Sequence, residues 1–172
     1  MKPRVFVSTS SFGQVSDRPM QLLLDAGYDI VLNPHGRKLK AEEVVPLVQG
    51  CVGLVAGTEP LGRASLTALA PKLRVISRVG VGVDKIDHEA AADLDIAVRN
   101  TPSAHVDPVA ELTLGGLLAG CRHTATADRN LRAGTWKKPM GGLLQGKTVG
   151  FVGYGQVARA LHALLALSLI HI

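Results

Sequence analysis

Arg74-Val75-Ile76-Ser77-Arg78-Val79-Gly80-Val81-Gly82-Val83-Asp84-Lys85-Ile86-Asp87 is the stretch on which the fold turns. Arg74 to Ser77 reads as a β-strand, the paired glycines as a tight turn, and Asp87 as the cap of a helix leading to the next strand signal, Ile96-Ala97-Val98. The same alternation runs upstream. A helix over Gly62–Ala70 follows the apolar run Val52-Gly53-Leu54-Val55-Ala56, which follows a helix over Ala41–Gln49 and the strand Tyr28-Asp29-Ile30-Val31-Leu32. Arg4-Val5-Phe6-Val7-Ser8 opens the series, and Asp17-Arg18-Pro19 offers a capping carboxylate and a first-turn proline to a helix that Gly27 closes. Pro46 is the one local conflict, since it should shorten or kink its helix. Apolar strands separated by helices mean an α/β fold with a parallel sheet covered on both faces.

Composition agrees with a globular chain. Of 172 residues, 47% are hydrophobic, 3% aromatic and 19% charged, with a mean hydropathy of +0.22. That apolar fraction excludes disorder, and two distant cysteines, Cys51 and Cys121, exclude a disulfide scaffold. The formal charge of +5 is too small to assign a nucleic-acid partner. The longest apolar stretch, Leu112–Cys121, is too short to span a bilayer, so no membrane association is expected. With no signal-like opening, the expected setting is a reducing cytoplasm.

Downstream, Asn100-Thr101-Pro102 breaks the rhythm. A helix beginning near Asp107-Pro108 then runs to Cys121, apolar nearly all round, as expected of a helix packed between two bodies. After the polar stretch Arg122–Lys138 comes a strand signal, Lys147-Thr148-Val149-Gly150-Phe151-Val152. Next are Gly153-Tyr154-Gly155-Gln156-Val157-Ala158 and a helical pattern over Arg159–Leu165. This fits the dinucleotide fingerprint G-x-G-x-x-G/A. There the first glycine permits the tight turn and the second bares the backbone to a pyrophosphate. The small Ala158 lets helix pack on strand, and the Gln156 and Val157 amides meet the negative charge. Gly80-Val81-Gly82 lies at the carboxyl end of its strand, where freed amides hold an anion; the alternative is a simple tight turn.

Ile76–Asp87, Asn100-Thr101-Pro102, Val109-Ala110-Glu111-Leu112-Thr113 and the Gly153 motif, in that order, resemble the D-isomer-specific 2-hydroxyacid dehydrogenases. Asn33-Pro34-His35-Gly36-Arg37 and Ala56-Gly57-Thr58-Glu59-Pro60 are similar to stretches of the phosphoglycerate dehydrogenase-like branch. The resemblance implies a flavodoxin-like substrate domain, here residues 1–101, followed by interdomain helices and the first β-α unit of a Rossmann NAD-binding domain, residues 102–166. It implies an NAD-dependent oxidoreductase acting on a small anionic 2-hydroxy or 2-keto acid of the 3-phosphoglycerate kind, with NADP left open, and a homodimer in full-length form. By the same resemblance the Val81 and Gly82 backbone contacts the substrate carboxylate, and Thr113 lies near the nicotinamide and phosphates. Gly153, Tyr154, Gly155, Gln156 and Val157 form the pyrophosphate loop. The family's catalytic Arg, Glu and His fall beyond the matched motifs, so no catalytic residue is assigned, and the chain alone is expected to be inactive. Residues 167–172, Leu-Ser-Leu-Ile-His-Ile, look like the translation of a transposase mosaic end used in sequencing libraries rather than native sequence.

Other classes are weaker. None of the histidines pairs in an H-E-x-x-H or sits at zinc spacing with a cysteine, so no metal is expected. Ser8-Thr9-Ser10-Ser11-Phe12-Gly13 could cradle a phosphate in a flavodoxin-like binding module, yet 3 Phe, 2 Tyr and 1 Trp leave little to stack on a flavin. A receiver domain lacks its paired acids at the first strand's end. An NAD-sensing corepressor of the same fold is the remaining alternative.

Overall fold

The computed structural model describes residues 2–166; the reading of 167–172 falls outside them. The chain divides into two compact units, Met1–Pro102 and Ser103–Ile172. The first alternates β1 (Arg4–Val7), α1 (Arg18–Asp25), β2 (Asp29–Leu32), α2 (Ala41–Val48), β3 (Gly53–Ala56), α3 (Arg63–Leu69), β4 (Val75–Arg78), α4 (His88–Asp93) and β5 (Ala97–Asn100). All five strands are parallel, in the order β2-β1-β3-β4-β5, the flavodoxin-like arrangement.

Strand alternation divides the core. Phe6, Leu54, Ala56 and Ile76 point to one face and pack under Val44, Val48, Leu66, Leu69, Ala90 and Ala91 of α2, α3 and α4. Val5, Val7 and Val55 point to the other, against Leu23 of α1, Phe12 and Tyr28. β3 is buried at every residue, whereas the edge strands β2 and β5 are exposed at both ends. That is why the expected strands nearest the sheet centre are the most apolar.

Local signals act as expected with two differences. Asp87 caps α4, its Oδ1 accepting from the Ala90 N–H at 2.8 Å. Asp17 precedes α1 but its side chain makes no cap bond. One of the N–H groups it would reach belongs to Pro19, which has none, and Asp17 itself lies in helical backbone geometry. Instead the Arg18 N–H donates to Ser16 Oγ at 3.2 Å. Pro46 sits inside α2 without ending it; in an eight-residue helix it removes one intrahelical bond.

The second unit holds α5 (Val106–Cys121), α6 (Thr124–Arg132) and α7 (Gln156–Ala166). Ala110, Leu114, Leu117 and Cys121 form one stripe of α5 and pack with Leu161 and Leu165 of α7 and with Leu144, Val149 and Phe151. The expectation of a helix covered all round is corrected here: Leu112 is 76% exposed, and Val109 and Leu118 are also open. α6, unforeseen in a polar stretch, is held by the pair Asp128–Arg132. Lys147–Val152 forms no strand. Among the described residues no ladder runs beside it. No helix among the described residues is long and apolar enough to cross a membrane.

Candidate functional site

Parallel strands deliver their following loops to one edge of the sheet. In the first unit the loops after β3 and β4 enclose a cavity of about 130 Å³, lined among others by Gly57, Glu59, Arg78, Gly82, Asp84 and Lys85. Gly82 of the expected glycine turn is part of that lining. Gly80 has φ +137°, a backbone geometry that side chains disfavour, and a Cβ there would collide with the Arg78 guanidinium, which lies against it.

The turn is pinned from β5. Gly80 N–H donates to Thr101 Oγ1 at 2.8 Å, Thr101 N–H returns a bond to Gly80 O at 3.1 Å, and Asn100 Nδ2 donates to Val81 O at 2.8 Å. These bonds give Asn100-Thr101 its part in the motif. The Val81 and Gly82 N–H groups donate to no protein acceptor among the described residues. Two spare amides follow the Gly80 backbone on which the Arg78 guanidinium rests, and the Asp84 carboxylate stands against Gly82; freed amides of this kind can donate to an anion.

Glu59, 4% exposed, also lines the cavity. Its Oε1 accepts from Ser8 Oγ at 2.5 Å and from Gly57 N–H at 3.0 Å, and Gly57 N–H also reaches Ser8 Oγ at 2.8 Å. Ser8 follows directly on β1, so this network ties the loop after β3 to the end of the neighbouring strand. The loop after β2 is a separate clasp. Asn33 Nδ2 donates to Ser8 O and Arg37 O, each at 2.8 Å. Arg37 grips Glu43 at 2.6 and 2.9 Å, and Lys40 N–H donates to Glu43 Oε2 at 2.8 Å. The Arg37 hydrogen bond, then the Lys40 amide, hold the Glu43 carboxyl down to about 2 from its ordinary 4.5.

In the second unit, Gly153 has φ +92°, and a Cβ on Gly153 or Gly155 would meet nothing within 4 Å. The glycines therefore leave open space before the first turn of α7, where unpaired amides point out of the helix. That bare, amide-lined cradle fits a pyrophosphate. Tyr154 turns away, its hydroxyl hydrogen-bonded to His162 Nδ1 and its ring edge-on to Phe151. Gln156 and Val157 open α7. Thr113 is exposed on α5 and donates its hydroxyl to Val109 O at 2.7 Å. Val81 and Gly82 belong to the first unit, and Thr113 and Gly153–Val157 to the second.

The model of the D-isomer specific 2-hydroxyacid dehydrogenase catalytic domain matches residues 6–165. The chain belongs to the D-isomer-specific 2-hydroxyacid dehydrogenase family. Among its relatives in that family, D-3-phosphoglycerate dehydrogenase of Rattus norvegicus is 36% identical over 145 residues, 83% of this chain and 27% of that protein. Hydroxypyruvate reductase of Thermotoga maritima is 35% identical over 141 residues, 81% of this chain and 45% of that protein. The structure of the NAD+-bound 3-phosphoglycerate dehydrogenase of Entamoeba histolytica superposes with a TM-score of 0.76 at 26% identity, covering 100% of this chain and 53% of that one. The chain thus spans about half, or less, of the length of the dehydrogenases it matches.

Sequence reading of this family member passed over two cavity residues. Arg78 was visible as the last residue of a strand that feeds a glycine turn. Glu59 was visible only as part of Ala56-Gly57-Thr58-Glu59-Pro60, because its burial depends on Ser8, 51 positions away in sequence.

Proposed function

We propose that the protein is part of an NAD-dependent oxidoreductase that interconverts the CH–OH group of a small D-2-hydroxy acid and the corresponding 2-keto acid. The observation that carries this reading is the pair of spare amides at Val81 and Gly82 beside Arg78. Their N–H groups would donate to the acid's carboxylate. Family membership supplies the reaction class, and NAD is the cofactor of the Entamoeba relative. NAD, when bound, would supply the acceptor for the hydride leaving C2, with the hydroxyl proton passing to a base. The chain's own part is to hold the two anionic groups: Val81 and Gly82 the carboxylate, Gly153, Gly155, Gln156 and Val157 the pyrophosphate, with Tyr154 shaping that loop and Thr113 near the nicotinamide end. No acid or base for the proton is assigned within these residues.

The reading extends to a homodimer formed through the second unit, where Trp136 is 90% and Met140 89% exposed, and to a reducing cytoplasm, where Cys51 and Cys121 stay free. The direct test is a titration of the 172-residue chain with NAD+, followed by amide NMR. Selective shifts at Gly153–Val157, lost in Gly155→Ala, are expected; shifts spread over the surface, or none, overturn the cofactor assignment.

A further inference from the structure

We propose that His162 of α7 is a positioning residue for the glycine loop Gly153–Gly155. Through the Tyr154 hydroxyl it holds that loop in the shape that receives a dinucleotide pyrophosphate. The cofactor part of the inference rests on the reading of the loop as an NAD site.

The loop needs an anchor outside its own backbone. A Cβ on Gly153 or Gly155 would meet nothing within 4 Å, and glycine on both sides of Tyr154 leaves the stretch much conformational freedom to lose. Gly155 is tied to α7, its carbonyl accepting from the Arg159 N–H at 3.0 Å. Gly153 and Tyr154 make no backbone hydrogen bond among the described residues. The hydrogen bond that holds them is the one between the Tyr154 hydroxyl and His162 Nδ1.

His162 is a fixed point for that bond. It sits half-buried in α7, on the same helix as Leu161 and Leu165, which are buried in the core of the second unit. Its ring stacks on Phe151, with 6.3 Å between centroids and 20° between planes, and Phe151 packs against that same core. The Tyr154 ring stands edge-on to both, 5.7 Å from Phe151 and 5.8 Å from His162, an arrangement that suits the aromatic quadrupoles. One residue before the loop, one within it and one after it are thereby joined. Six positions separate His162 from Gln156, roughly 9 Å along the helix axis. It therefore lies beyond the first-turn amides and acts on a pyrophosphate only through Tyr154. Without the tether the loop must be ordered when the cofactor arrives, and that cost weakens binding.

The 172-residue chain is tested by 15N relaxation when free and by amide-shift titration with NAD+. Order parameters of the Gly153–Gly155 amides are expected near about 0.8 in the wild type and below about 0.6 in Tyr154→Phe and His162→Leu. Each variant is expected to bind NAD+ about three- to ten-fold more weakly, as loss of one partly exposed hydrogen bond implies. The double variant is expected to bind no more weakly than the weaker single one. His162→Asn places an amide where Nδ1 stood and is expected to restore the order parameters, with an affinity within about two-fold of wild type. Should His162→Leu fail to fold, Tyr154→Phe, which keeps its ring and loses only the hydroxyl, decides the matter. Unchanged order parameters in the folded variants overturn the positioning role, and so do losses that add in the double variant. A loop that loosens while NAD+ affinity holds overturns its bearing on the cofactor. Wild type that shows no NAD+ shifts at Gly153–Val157 refutes the cofactor reading and the cofactor half of the inference with it; the relaxation data still decide whether His162 positions the loop.

Discussion

Gly80-Val81-Gly82 and Gly153-Tyr154-Gly155 both follow an apolar run and precede a helix, yet they are held by different means. The first hangs from β4, which pairs with β3 on one side and β5 on the other, and three hydrogen bonds from Asn100 and Thr101 fix its backbone. The second has no ladder before it among the described residues. It is held by side chains, Tyr154 on His162 and Phe151, and by the start of α7. The same local sequence logic thus yields a turn framed by neighbouring strands in the first unit and, among the described residues, a turn tethered by side chains in the second. A glycine turn chooses where an anion can sit; neighbouring strands decide how firmly.

The largest effect that could break this contrast is in hydrogen exchange. Backbone amides of Leu54 and Ile76 are expected to exchange on the order of a thousand-fold or more slowly than those of Val149–Val152. Equal protection in the two segments, measured by NMR or mass spectrometry, shows that Lys147–Val152 is as firmly bonded as β4. Next in size, Gly80→Ala forces a side chain into φ +137° and against Arg78, at a cost of about 1–3 kcal/mol in urea unfolding. Gly155→Ala meets open space and is expected to change stability by no more than about 0.5 kcal/mol. Similar losses in both remove the distinction between a framed turn and an open one.

The smallest effect sharpens the picture of the first unit. The Glu43 carboxyl is held at about 2 by Arg37, below its ordinary 4.5. Its contribution to stability is therefore complete above pH 4.5 and is lost as pH falls through 2. Because the pair is solvent-exposed, the change in urea midpoint over that window is expected to be small and to vanish in Glu43→Gln. A midpoint in the Glu43→Gln protein that falls as steeply as wild type assigns the acid sensitivity elsewhere.

Much of the first unit was legible in the sequence because its signals are local. Asp87 caps α4 with its own side chain, Gly27 follows α1, and the apolar run Gly53–Ala56 is the buried centre of the sheet. What failed locally failed for identifiable reasons. The Asp17 cap lost its donor to Pro19, and α6 is polar in composition and buries no residue, so no apolar run announces it. The strand expected at Lys147–Val152 needs neighbours, which no window of its own residues can reveal. The candidate site divides the same way. The glycines of both turns announce themselves, whereas Glu59 becomes a cavity residue only through Ser8, and Arg78 only through the turn that folds back upon it.

One feature of the sheet bears on how the chain is made. β1 is an interior strand, flanked by β2 and β3, although it precedes both of them in the chain. Its partner on one side follows within about thirty residues, but the other edge waits until Val55 has emerged. Over that interval the backbone of Val5, Phe6 and Val7 is half-bonded, and the Phe6 face still lacks the later helices α3 and α4 that cover it. Birth order and position in the sheet are therefore opposed, and the growing chain is most prone to capture by a foreign strand between the completion of β2 and the arrival of β3.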